Sequence, residues 1–434
     1  MVALDGSVVN TILPILRNAF QSKVAAIQWV VTVYLLTLSG LLLTFGRLGD
    51  MRGHKSIYVW GFGLFALSSA LCGAARSVTA LVIFRALQAV GGAMLASNAP
   101  AIVTANFPAE QRGRAIGLTS TMTYLGLTVG PSLGGWLNQA FGWRTVFYIN
   151  VPVGALALTL SLLFIPNDAA AESGQRFDLP GAAAFLAGLT SLLLGLNKGA
   201  EWGWGSPAVL GLLAGALLLL GIFVLIERRS PAPMLDLNLF RVPLFTTATV
   251  SAILNYICVY SITFLMPFYL IQGRGLNSAQ AGMLLTAQPV LMAFFAPLSG
   301  AFSDQIGSRL PGMIGMGGLA AGLFVLAGLG SESGLWMAAL GLAVAGFGTG
   351  TFISPNTSAL LGSAPKSRQG IASGVQATAR NFGMVLGLGM AGAIFTTQLA
   401  QGTAEALYRG VSLGFLAAAG VALLGVVMSA LKEK

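Results

Sequence analysis

Acidic side chains are scarce in this chain, with 13 Asp and Glu among 434 residues against 23 Lys and Arg. All charged residues together make up 8%, where a soluble domain carries about 25%. The one histidine, His54, falls in a connecting segment and excludes a multi-histidine metal or catalytic site. Two cysteines, Cys72 and Cys258, lie in apolar runs and offer neither a disulfide framework nor a metal cluster. No Gly-x4-Gly-Lys-[Ser/Thr] phosphate loop occurs, which argues against an ATP-driven pump. An enzyme would need a nucleophile, acid/base pair or ligand set gathered at one place, and one loop histidine with one buried acid supplies none. No catalytic residue, metal or cofactor is therefore expected. The net charge of +10 is spread singly over loops without a dense basic stripe, so nucleic acid is not an expected partner. The first apolar run lacks a basic leader, and no cleavable signal peptide is evident.

What the chain has instead is 56% hydrophobic residues and a mean hydropathy of +0.81. These values predict an all-α polytopic membrane protein. Windows long enough to cross a bilayer fall near 1–19, 26–45, 57–75, 79–105, 115–137, 145–165, 180–197, 207–226, 245–271, 279–302, 311–329, 334–361, 370–397 and 411–431, fourteen in all. Fourteen of the Lys and Arg fall on the side of the even-numbered connections and the tail, and seven on the other, with Arg85 and Arg380 inside segments. The positive-inside rule then places both termini in the cytoplasm of a multi-pass inner-membrane protein.

Asp5 is the one acid inside such a segment; the other twelve lie in or beside connections. A carboxylate in hydrocarbon costs on the order of 3 kcal/mol on insertion scales, so it normally lines a cavity and works there. The alternative is a helix-end acid wetted by the interface, because only four residues precede it and the first segment is short for a span. A natural chain that began upstream would move Asp5 toward mid-membrane.

An internal repeat gives the architecture. GRLGDMRGHK at 46–55 and GAFSDQIGSR at 300–309 share the spacing Gly-x3-Asp-x2-Gly-x-[Lys/Arg], carried by Gly46, Asp50, Gly53 and Lys55, and by Gly300, Asp304, Gly307 and Arg309. Their offset of 254 residues is nearly kept by Pro14 with Pro267, Pro108 with Pro365, Arg112 with Arg368, and Gly126 and Gly130 with Gly383 and Gly387. The reading is two homologous six-helix lobes, residues 1–166 and 244–434, with inserted segments seven and eight in 167–243. Two parallel repeats with a site at their interface is the plan of a rocking secondary transporter.

The whole chain resembles the major facilitator superfamily, and within it the fourteen-helix drug:proton antiporters. LDGSVVNTILP at 4–14 looks like that branch's first-helix signature, GRLGDMRGHKS at 46–56 like the loop between helices two and three, LVIFRALQAVGGA at 81–93 like the fourth-helix signature, and GLTVGPSLGG at 126–135 like the fifth-helix antiporter signature. The resemblance implies the major facilitator fold and proton-coupled export. In the family the fifth-helix element is associated with sealing or hinging the lobes.

The repeat also separates fold from function. Arg85 and Asp5 map onto Leu342 and Cys258 in the second half, so neither charge is a necessity of the fold. Together they are the expected proton-coupling pair, against an alternative in which Arg85 merely bonds backbone carbonyls. Gln88 and Gly92 follow Arg85 on one helix face. Pro131 maps onto Leu388; with Gly126, Gly130, Gly134 and Gly135 it reads as a hinge or as ordinary small-residue packing. Asp50 and Asp304, with Arg52 beside the first, read as a recurring gate latch that His54 departs from, standing where Arg or Lys is common. Tyr256, Tyr260, Phe264 and Phe268 recur every four residues, a face suited to a hydrophobic cation or else to packing. Asn10, Gln28, Tyr34, Asn98, Gln288 and Asn356 are further polar residues at membrane depth for a substrate cavity.

The expected function is a proton-coupled antiporter that exports amphipathic lipophilic compounds, cationic or neutral, by alternating access. The bilayer, protons and an amphipathic small molecule are its partners; an oligomer or a periplasmic partner is left open. The alternative is a same-fold permease or exporter of a specific metabolite.

Overall fold

The computed structural model describes residues 1–106, 109–166, 178–229, 237–364, 369–401 and 405–431; some side chains inside helices, among them Asp50 and Asp304 of the expected latch, also lie outside the described set. All regular structure among the described residues is helical. The helices are α1 Val2–Thr11, α2 Leu13–Ala19, α3 Val24–Arg52, α4 His54–Ala74, α5 Val78–Asn106, α6 Ala109–Phe141, α7 Thr145–Tyr148, α8 Asn150–Phe164, α9 Leu179–Trp202 and α10 Pro207–Arg229. They continue as α11 Pro243–Pro267, a π-turn Phe268–Gly273, α12 Ser278–Leu285, α13 Ala287–Ile306, α14 Arg309–Ala327, α15 Leu335–Gly362, α16 Gln369–Leu399 and α17 Ala406–Ala430.

Local chemistry explains where these helices begin and end. Pro207 and Pro243 open α10 and α11, where a missing N–H costs nothing. Asn277 and Gln280 form a reciprocal capping box at the start of α12, each side chain accepting from the other's backbone N–H at 2.9 and 3.2 Å. Gly53 (φ +92°) and Gly307 (φ +79°) end α3 and α13 in a backbone region that side-chain-bearing residues avoid. These are the glycines of the repeated GxxxDxxG stretch. The stretch is therefore a helix end and a one- or two-residue turn rather than a long loop.

Twelve helical stretches among the described residues are long and apolar enough to span a membrane. The expectation of fourteen is not met by this measure. The first segment is broken at Ile12 into helices of ten and seven residues, and the fifth, inside α6, is rich in Gly, Ser and Thr. Large apolar side chains such as Leu163, Phe164, Leu217 and Trp336 are exposed on helices with no water-compatible face, as a lipid-facing surface requires.

The chain divides into two compact units, Met1–Leu192 with Ala214–Met234, and Leu193–Leu213 with Leu235–Lys434. The inserted pair is thus shared between them. Within the first unit α1 packs on α6, α3 on α5 and α4 on α5; within the second, α11 packs on α16, α13 on α15 and α14 on α15. The two sets correspond at the offset read from sequence.

Glycines set the closest of these contacts. A Cβ at Gly134 would stand 2.7 Å from Cγ1 of Val8, and one at Gly130 would overlap the Ser7 side chain. The same stripe recurs in the second unit, where a Cβ at Gly383 would lie 2.9 Å from Cβ of Tyr256 and one at Gly387 would overlap the backbone of Ile257. The small residues of α6 therefore seat α1, the helix that carries Asp5. Gly134→Leu should displace α1 at a cost of about 1–3 kcal/mol, the usual penalty of overpacking. Thermal unfolding of the detergent-purified chain checks this, with Gly215→Ala, whose added Cβ meets nothing within 4 Å, as the control that keeps the wild-type midpoint.

Candidate functional site

Four helices of the first unit converge on Asp5, which is 2% exposed. Arg85 donates from Nη1 to Asp5 Oδ2 at 2.6 Å, a charge-assisted bond between fully buried partners. Asp5 Oδ1 accepts from Asn150 Nδ2 at 2.7 Å and from Gln88 Nε2 at 3.0 Å. The carboxylate of α1 is thus held by three donors, two from α5 and one from the first residue of α8.

The surrounding groups complete a closed hydrogen-bond network. Arg85 also donates from Nη1 to Gln88 Oε1 at 2.6 Å and from Nε to the Val30 carbonyl of α3 at 3.1 Å. Its guanidinium carbon stands 4.0 Å from the centroid of the Tyr34 ring. Ser69 of α4 accepts from Gln88 and Asn150 at 3.0 and 3.1 Å and passes its own proton to the Phe147 carbonyl at 2.9 Å. Cys72 donates weakly to Gln88 Oε1 at 3.8 Å. Each side chain bonded to the Asp5 carboxylate donates to it. A proton on this carboxylate would remove the ionic partner of Arg85.

The depth of the cluster follows from the helices that build it. Ser69 lies five residues before the end of α4 and Arg85 seven residues after the start of α5, roughly 8–10 Å inside at 1.5 Å per residue. Asp5 does stand in the first turn of α1, but it is buried among other helices rather than wetted. The alternative in which Arg85 only bonds backbone carbonyls is overturned, since its carbonyl bond to Val30 accompanies the ion pair.

Of the residues expected from sequence, Asp5, Arg85, Gln88 and Tyr34 come together here. Ser69 and Asn150 were missed; the one signal for Asn150 was an amide standing inside an otherwise apolar run. Gln28 is buried in α3, and Asn10 donates to the Gly6 carbonyl of its own helix at 2.9 Å. Asn98 corrects the substrate-cavity expectation. Its Oδ1 accepts from Nδ1 of His54 at 2.8 Å and its Nδ2 donates to the Met94 and Phe45 carbonyls at 2.9 and 3.2 Å, pinning the start of α4 to α5 and the end of α3. His54 is thus part of a structural pin, and Gly49 leaves the room that both side chains fill.

In the latch stretches Arg52 and Arg309 are exposed, while Lys55 reaches the Leu162 carbonyl at 3.4 Å. Gly46 and Gly300 lie at helix–helix contacts with Ser97 and Ser354, respectively. Pro131 is buried inside the unbroken α6, flanked by the glycines that seat α1; Gly126 accepts from Ser7 Oγ at 3.3 Å, and Gly135 is buried.

In the second unit the aromatic stripe splits. Phe264 and Phe268 are fully buried and stack with Phe395 at centroid distances of 5.2 to 6.2 Å, so they are packing rather than a substrate face. Tyr256 and Tyr260 remain half-buried and sit within the electrostatic reach of Arg380. Asn356 donates to the Ala248 carbonyl at 3.0 Å, and Gln288 is buried with its Nε2 unpartnered.

The ion pair supports a double-substitution test. Arg85→Gln leaves Asp5 buried without its counter-charge, a loss of about 3–5 kcal/mol. Asp5→Asn combined with Arg85→Gln should cost less than the two single changes added together, by at least about 1 kcal/mol in thermal unfolding of the purified chain. Additive losses would show that the two groups do not depend on each other.

Comparison with known proteins agrees with this architecture. The family model described as Major Facilitator Superfamily matches residues 1–387 and again 248–433. The chain is 33% identical over 399 residues to the riboflavin transporter RibZ of Clostridioides difficile, covering 92% of this chain and 86% of that one. It is 32% identical over 412 residues to the multidrug resistance protein Stp of Mycobacterium tuberculosis, covering 95% and 76%. The tetracenomycin C resistance and export protein of Streptomyces glaucescens is 33% identical over 399 residues, covering 92% and 74%. Among solved structures, a bacterial homolog of the lysosomal transporter Spinster superposes with TM-score 0.70 at 17% identity over 99% of this chain and 94% of that one, and a peptide transporter with TM-score 0.71 at 16% identity over 98% and 91%; both show the fold alone. The chain belongs to the major facilitator superfamily of membrane transporters.

Proposed function

We propose that the protein is a proton-coupled antiporter of the inner membrane that exports lipophilic compounds by alternating access, with both termini in the cytoplasm. The observation that carries this reading is the buried Asp5–Arg85 pair, because a membrane-interior acid held only by donors couples its protonation to movement of the helices that supply them. Loading of substrate with Asp5 ionised, outward rearrangement, protonation and return would complete a cycle. The membrane potential supplies about 2.3 kcal/mol per 100 mV for each charge moved. Relatives named for multidrug resistance and for export of tetracenomycin C support the export direction.

The cationic substrate expected from sequence loses its main support. The aromatic face is reduced to Tyr256 and Tyr260, and both lie beside a guanidinium. A single-metabolite transporter is the second reading, favoured by the similarity to a riboflavin transporter.

Proteoliposomes holding the full chain test the coupling. An imposed proton gradient should drive movement of tetracenomycin C, a protonophore should abolish it, and Asp5→Asn should lower gradient-driven flux at least tenfold. Gradient-driven flux that Asp5→Asn leaves intact would remove Asp5 as the coupling site.

A further inference from the structure

Arg380 is a charge at membrane depth that the coupling mechanism does not use. It lies eleven residues into α16, roughly 16 Å from the start of that helix, inside the candidate span Gly374–Leu399. An arginine in hydrocarbon normally pairs with an acid or with backbone carbonyls. Among the described residues Arg380 makes neither an ion pair nor a hydrogen bond, and its Nε is buried without a partner. The sequence offers no remedy. Between residues 243 and 399 the acids are Asp304, two residues before the end of α13, and Glu332, in the turn before α15.

Around Arg380 the described residues offer hydroxyls and an amide rather than an acid. Gly383, one turn further along the same face of α16, presses against Tyr256, so the two helices meet without intervening side chains. This contact places Tyr256 one turn from Arg380, and the charge of Arg380 also reaches the hydroxyls of Tyr256 and Tyr260. Neither tyrosine hydroxyl has a hydrogen-bond partner among the described residues. Thr378 Oγ1 and Asn381 Nδ2, on either side of Arg380 in sequence, are likewise buried and unpartnered. A lone guanidinium beside unspent hydroxyl donors repels cations and accepts planar oxyanions, for which its fork provides two parallel bonds. Asp5 offers no such attraction for a cation, since Arg85 already neutralises it.

We propose that Arg380, Tyr256 and Tyr260 form a binding site in the second unit for an anionic oxygen group, a carboxylate or sulfonate, carried by a lipophilic aromatic substrate. The proposal rests on the transporter reading and narrows its substrate class. The aromatic rings of the two tyrosines supply the apolar contact, and Arg380 selects the charge.

Equilibrium binding of tritiated 2-naphthoate to the full chain in lipid nanodiscs tests it, with empty nanodiscs subtracted and a naphthylmethyl-trimethylammonium ion as the cationic competitor. No proton gradient is present, so a failure of proton coupling leaves the result unaffected. Saturable naphthoate binding is expected, weakened at least tenfold by Arg380→Gln and about threefold by Tyr256→Phe combined with Tyr260→Phe. Arg380→Lys keeps the charge without the fork and should fall between wild type and Arg380→Gln; it carries the test if Arg380→Gln fails to elute as a monodisperse species. Absence of saturable naphthoate binding, binding indifferent to both Arg380 variants, or displacement by the cation as effective as by unlabelled naphthoate would overturn the proposal.

Discussion

A charge is costly where no water reaches it unless it is paired, and the first unit is organised around that constraint. Asp5 and Arg85 are stable in the interior because each completes the other, and because Gln88, Asn150 and Ser69 use the lone pairs and protons that remain. Removing one partner from such a buried pair costs more than the pair contributes, so the helices bearing them are bound to act together. The glycine stripe of α6 serves the same end: it lets α1 approach closely enough for a short aspartate to reach α5 and α8.

The two units share a packing plan and differ in charge. Gly130 and Gly134 seat α1 as Gly383 and Gly387 seat α11, and the first helix of each unit breaks near its proline, Pro14 or Pro267. Into that common frame the first unit places a neutralised acid–base pair, and the second places an arginine that meets no acid among the described residues. In the proposed scheme proton exchange falls to one and recognition of substrate charge to the other.

Much of this was legible in the sequence because it depends on rare residues in an apolar background. One acid within a span, one arginine that the repeat does not copy, and glycines at matched offsets are visible by inspection. The partners Ser69 and Asn150 were not, since small polar residues are common in transmembrane helices and only proximity shows which of them meet. The four-residue aromatic period misled for a related reason: periodicity gives a face, but Phe395 from a distant helix decides that Phe264 and Phe268 are core. Asn98 was read as lining a cavity, because sequence could not show that His54 stands opposite it.

The central claim is that Asp5 itself gains and loses the transported proton. Difference infrared spectroscopy across an acid titration reads this directly through the C=O stretch of a protonated carboxyl. The account predicts such a band in the wild-type protein, shifted by deuterium exchange, removed when substrate binds and missing from Asp5→Asn. Identical difference spectra for wild type and Asp5→Asn would contradict it.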